Sequence, residues 1–195
     1  MPFRILMLIL LMAPVLAFAA DNVPDGYVVQ RLDPLGGELL RPKEWHFRTA
    51  KTSDAFVYQI SKEQPSAQPF ETGLTINVVP EIAKKTKTAS SDYLKRVLDQ
   101  KKTQAQVVQV DPERDEGRFR RFAFTIDETL TIGNKTQPYR VSYTSYADDK
   151  KDLLFLFIFG SPKEHWETNQ KIYDTMTAGM TLYDPAKSKL KEKVK

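Results

Sequence analysis

The sequence predicts an α+β domain in which helices cover a β-sheet, and three observations carry that expectation. Period-two alternation of apolar residues recurs along the chain, as in LTINVV from Leu74 to Val79, and such alternation marks half-buried strands. Two segments, SSDYLKRVLDQKKTQA from Ser90 and EHWETNQKIYDTM from Glu164, instead space their apolar residues as amphipathic helices do. Finally, LLFLFIF from Leu153 to Phe159 is apolar at every position, as expected of a central strand buried on both faces.

At 195 residues with 41% hydrophobic content, the chain can build one self-sufficient core and calls for no second domain. Residues 1–19 have a basic start at Arg4, an apolar run from Ile5 to Leu16, and small residues at Ala17 and Ala19. That is the pattern of a signal peptide cleaved near Ala19. The apolar run is shorter than the roughly 20 residues needed to span a bilayer. Export predicts a periplasmic or secreted protein, and the absence of cysteine excludes disulfides and an N-terminal lipid anchor.

Residues 20–41 contain Pro24, Pro34 and the Gly36-Gly37 pair and read as an irregular lead-in to a domain covering 42–183. Trp45 to Lys51 and Ala55 to Ser61 then read as two strands around a turn, with Phe56, Tyr58 and Ile60 on one face. The loop from Glu63 to Gly73 delivers the chain into the strand LTINVV.

In the first helix, Ser90 or Ser91 is the expected cap, Asp92 complements the helix dipole, and Asp92 with Arg96 forms an i,i+4 pair. Leu94, Val97, Leu98 and Ala105 form the buried stripe, joined by the polar Lys101.

Four β segments follow: Val107 to Val110, Arg118 to Ile126, Tyr139 to Ala147 and Leu153 to Phe159. Between Phe119 and Phe122 the apolar parity slips by one, which predicts a bulge or a late strand start. Asp148 to Asp152 reads as a charged, solvated hairpin end; it lacks the spacing of a calcium loop.

Ser161, Pro162 and Glu164 fall where a capping box with proline at the first helical position would put them. Trp166, Asn169, Ile172, Tyr173, Met176 and Met180 then trace the helix face expected to pack on the sheet.

Of the formal charge of +4, Arg4 supplies one unit and the tail AKSKLKEKVK supplies four, so residues 20–185 are at about −1. Residues 184–195 read as a basic, disordered tail. Lys187, Lys189, Lys191, Lys193 and Lys195 offer at most a weak contact with anionic membranes.

The chemistry of the chain is sparse. Catalysis by cysteine is excluded, and neither histidine neighbours a G-x-S-x-G elbow. His46 and His165 are the weak candidates for a metal site, with no motif spacing to support them. Strand periodicity accounts for the aromatic residues near Arg118, Arg120, Arg121 and Arg140 as core, so no nucleic-acid partner is expected. A hydrolase built on two carboxylates is a third reading that the sequence leaves open.

The order of these elements, with PFETGLTINVV and the apolar strand running into SPKEHWETNQKIYDTM, resembles the PsbP-like fold family of a photosystem II extrinsic protein and small exported bacterial proteins. The resemblance covers about Leu39 to Leu182. It implies an antiparallel β-sheet, here of about six strands, sandwiched between helices (α/β/α), and a non-enzymatic accessory or binding role.

The expectation is therefore an exported accessory module, monomeric and without cofactor, that meets a protein partner in the cell envelope. The alternative is a carrier of a small ligand or metal. The candidate contact loop is Pro65, Pro69, Phe70, Glu71, Thr72 and Gly73, because it stands beside the strands and a helix where a concave site would form.

Overall fold

The computed structural model describes residues 23–64 and 69–183; the signal segment, Pro65 and the lysine tail lie outside the described residues. The chain order is β1 (Tyr27–Leu32), β2 (Gly37–Pro42), β3 (His46–Lys51), β4 (Phe56–Ser61), β5 (Gly73–Pro80), α1 (Ile82–Thr86), α2 (Ser90–Lys102), β6 (Gln106–Val110), β7 (Arg114–Glu116), β8 (Phe119–Ile132), β9 (Lys135–Asp148), β10 (Leu153–Pro162) and α3 (Trp166–Thr177).

Strands β3 to β10 form one antiparallel sheet in the order β3-β4-β5-β10-β9-β8-β6, with β7 also paired to β8. The α+β class expected from the sequence is the observed one, with eight strands in the sheet instead of about six. Seven of the eight correspond to the strand segments read from the sequence; the eighth, β7, is a three-residue polar segment too short to show alternation.

The all-apolar strand β10 lies at the centre of the sheet, between β5 and β9. Its Phe155, Phe157 and Phe159 face one core with Trp166, Tyr173 and Met176 of α3. Its Leu154, Leu156 and Ile158 face a second core with Leu94 and Leu98 of α2. Two apolar faces explain the unbroken run, because each needs every second residue.

The segment read as an irregular lead-in is a hairpin. β1 pairs with β2 in continuous register from Tyr27↔Pro42 to Leu32↔Gly37. Pro34 and Gly36 form the turn, residues 33–36, Gly37 opens β2 and Pro24 precedes β1, so these residues bound two strands and do not prevent them. Leu32, Leu35 and Leu39 are buried in the α3-side core, and Tyr58 Oη donates to the Asp33 carbonyl at 3.0 Å. The hairpin is thus part of the domain, and Glu38 and Thr181 exchange backbone hydrogen bonds that fasten it to the C-terminal end.

No bulge occurs at Phe119 to Phe122, where β8 keeps register with β9 from Arg120↔Ala147 onward. The parity changes because the buried side changes: Phe119 packs on the α3-side core and Phe122 on the α2-side core. The register shift lies instead at Val107/Gln109 of β6.

Helix α2 is not capped by its serines. Ala89 holds the cap position without a side-chain hydrogen bond, and the carboxylates come from the β9–β10 turn. Asp149 accepts from Ser91 N at 2.8 Å and Ser91 Oγ at 2.7 Å. Asp152 accepts from Ser90 Oγ at 2.6 Å and from Ala83 N and Lys84 N of α1 at 2.7 and 3.1 Å. Asp148 is 1% exposed, accepts from the Lys150 and Lys151 amides and pairs with Arg118 Nε at 2.5 Å. The charged turn is therefore a clamp on two helices, not a solvated hairpin end. The expected Asp92–Arg96 pair gives way to a hydrogen bond from Arg96 Nη2 to Thr88 Oγ1 at 3.2 Å.

The capping box also fails to form. β10 continues through Ser161 and Pro162, paired with Arg140 and Tyr139, so these residues are extended. A 3₁₀ turn over Lys163–His165 follows, and α3 opens at Trp166. Ser161 instead accepts a hydrogen bond from Asn169 Nδ2 at 2.7 Å in the core.

On the α3 face, Asp127 accepts from Arg140 Nε and Nη2 at 2.7 and 3.0 Å, and Lys163 Nζ lies 2.6 Å away. Arg140, with help from Lys163, holds the Asp127 pKa at about 2. Since the folded value lies below the unfolded one, the stabilisation is complete above the ordinary carboxylate range and is lost as pH falls toward 2. Asp127→Asn is expected to cost about 1–2 kcal/mol at neutral pH after allowance for solvent screening. Urea midpoints of the two proteins should converge near pH 2; a constant gap across that range would show that geometry, not charge, sets the cost.

Candidate functional site

The α2-side face of the sheet is covered by α1 and α2 over only part of its area. Beyond α2 an open cleft of about 340 Å³ crosses five strands, within the range of small-molecule sites. Its floor is Gln59 of β4, Gly73 and Thr75 of β5, Ile158 and Gly160 of β10, and Tyr139, Val141 and Tyr143 of β9. Glu128, Leu130, Thr131 and Ile132 of β8 make one wall, and Pro69, Phe70 and Glu71 make the other. Four strand spacings give it a length of about 19 Å.

Local sequence builds both walls. The even-numbered residues of β8 continue from Phe122, Phe124 and Ile126 in the core to Glu128, Leu130 and Ile132 beyond α2, so the apolar stripe outruns its cover. On the opposite side the two described ends of the loop are tied together: Lys62 N donates to Thr72 O at 3.0 Å, and Thr72 N donates to Glu63 Oε2 at 3.1 Å. Gly73 is required there by close approach, since a Cβ at this position would lie 2.4 Å from the Ile60 carbonyl oxygen and 2.9 Å from the Phe70 ring.

The electrostatics of the cleft are uneven. At the β8 wall, Lys101 Nζ pairs with Glu128 Oε2 at 2.9 Å and lies 5.9 Å from the centroid of the Tyr143 ring. This explains the polar residue in the α2 stripe. At the loop wall, Glu71 has no ion-pair partner among the described residues. Tyr139 is buried, donated to by Gln137 Nε2 at 2.9 Å. Burial raises the pKa of its phenol, with added contributions from the negative charges of Glu71 and Glu63, against the Gln137 hydrogen bond. The loop end of the cleft thus carries the carboxylates of Glu71 and Glu63, with Arg48, hydrogen-bonded to Gln59, at its β4 edge.

Of the residues singled out in the sequence, Pro69, Phe70, Glu71 and Gly73 stand on the cleft; Thr72 is buried behind it. The histidines are not brought together. His46 starts the edge strand β3, and the register His46↔Ser61, Ser61↔Gly73, Gly73↔Gly160 puts it three strands, about 14 Å, from Gly160. His165 ends the 3₁₀ turn that follows β10, with its side chain 66% exposed. Among the described residues no group of three or more histidines and carboxylates is placed to hold a metal ion. No described helix is long and apolar enough to cross a membrane.

Sequence reasoning missed the β8 wall and the Tyr139–Tyr143 floor. A signal was present, because Leu130 and Ile132 keep the alternation of Phe122, Phe124 and Ile126. Pro138 hid it: proline argues against strand interiors, yet here it lies in β9 opposite Thr129.

A comparison with solved structures finds the chain similar to the solution structure of cyanobacterial PsbP (CyanoP) from Synechocystis sp. PCC 6803. The match covers 87% of this chain and 100% of that one, at 14% identity and a TM-score of 0.48. The structure it resembles is a PsbP. No known family's sequence profile and no curated protein matches the chain.

Proposed function

We propose that this chain is an exported, non-enzymatic accessory domain that engages a protein partner in the cell envelope, with the cleft between Phe70 and Leu130 as its contact site. The observation that carries the reading is the cleft itself: Leu130 and Ile132 of β8, Val141 of β9 and Ile158 of β10 line it on one side and in the middle, and Pro69 and Phe70 face them across it. A concave, half-buried apolar surface of this kind is where binding partners dock. The signal-like pattern of residues 1–19 supports the compartment.

The reading is tested by placing a photo-activatable phenylalanine analogue at Phe70 or Ile132 in the full chain and irradiating cells. Cross-links from both positions to the same envelope protein, and none from a control at Gln170 on α3, are expected. Equal labelling from all three positions, or none, would overturn it. The volume of the cleft also favours a small-ligand carrier, which predicts a bound molecule in native mass spectrometry of protein purified from its own compartment.

A further inference from the structure

The shape and charge of the cleft narrow what it takes. It crosses β4, β5, β10, β9 and β8 in one line, about 19 Å long, with a volume of about 340 Å³. An extended chain at about 3.3 Å per residue spans it with five or six residues. The floor offers apolar contacts from Val141 and Ile158 at its middle, Leu130 and Ile132 extend them along the β8 wall, and Gln59 and Thr75 supply polar side chains at the other end.

Charge decides the rest. Glu128 is already neutralised by Lys101, so the β8 wall exerts no net pull. Glu71 has no cationic partner among the described residues, and Glu63 stands on the same side, near enough for both carboxylates to act on the Tyr139 phenol. An anionic group next to Glu71 would be repelled, and a neutral one would leave the carboxylate without a counter-charge. A lysine or arginine placed there meets Glu71 next to the Phe70 ring, which adds an aromatic surface for the stem.

We infer that the occupant is an extended, apolar segment of the partner carrying a lysine or arginine that pairs with Glu71. This rests on the cleft being the contact site proposed above.

The test is titration calorimetry of the full chain with three short peptides, acetyl-LVKLV-amide, acetyl-LVQLV-amide and acetyl-LVELV-amide, and with hexylammonium, alongside NMR shift mapping. The lysine peptide is expected to bind about three- to tenfold more tightly than the glutamine peptide, and the glutamate peptide most weakly. Glu71→Gln should erase that preference, and added salt should weaken the lysine peptide. Shifts should cluster on Phe70, Tyr139 and Leu130.

If all three peptides bind the cleft equally, the charge inference is overturned and the contact site stands. If hexylammonium saturates the cleft and no peptide binds, the occupant is a small cation and the segment is overturned. If no probe moves the cleft resonances, the contact site falls with it.

Discussion

Trp166→Ala is expected to remove about 3–5 kcal/mol of stability, the usual cost of emptying a large buried aromatic site. Trp166 is the first residue of α3 and is 4% exposed. Its ring lies 5.8 Å from that of Phe159 and 6.0 Å from the guanidinium of Arg140. Truncation leaves a cavity between α3 and the central strand at the point where the helix begins. The unfolding midpoint should fall by on the order of 10 °C. Trp166→Phe, which keeps a ring against Phe159, should cost roughly a third as much. Urea unfolding at unchanged slope checks both; a loss under 1 kcal/mol for the alanine variant would mean that Tyr173 and Met176 dock the helix without it.

Asp152→Ala is expected to cost about 2–4 kcal/mol, because it strips one carboxylate from three donors at once. Those donors are Ala83 N, Lys84 N and Ser90 Oγ, so α1 and the start of α2 lose their shared anchor. Asp152 sits at φ 50°, a region that aspartate and asparagine tolerate better than alanine. Asp152→Asn therefore separates charge from backbone conformation and should cost less.

Burial works to raise the Asp152 pKa, but the donors on Ala83, Ser90 and Lys84 outweigh it and hold the group below its ordinary value. A depressed folded pKa means the contribution is whole at neutral pH and disappears as acid protonates the carboxylate. Wild type and Asp152→Asn should thus converge at low pH. Hydrogen exchange reads the mechanism: faster amides throughout α1 and the first turn of α2, with β10 unchanged, is the expected pattern, whereas uniform acceleration would point to global loss instead.

The sheet and its two faces were legible because burial writes itself into periodicity. Leu74, Ile76 and Val78 alternate, LLFLFIF does not, and each pattern follows from how many faces of its strand are covered. Helix α3 was legible through Trp166, Asn169, Tyr173 and Met176, all of which are buried. Its start was not, because Ser161 and Glu164 satisfy the capping pattern while Ser161 and Pro162 are already committed to the ladder with β9. Local preference lost there to strand pairing. The cleft was half legible: the loop from Pro69 to Gly73 signalled itself by composition, but the wall that faces it comes from residues about sixty positions later.

By itself the sequence determined the class of the fold, the central strand, the two amphipathic helices and the absence of cysteine chemistry, since each depends on the order of residues within a short window. Only the tertiary structure decided where carboxylates and apolar stripes end up. Asp149 and Asp152 cap helices some sixty residues away, and Leu130 meets Phe70 across a cleft. Such pairings are set by strand order and register, which bring distant residues within hydrogen-bonding or van der Waals reach, and no local spacing encodes them.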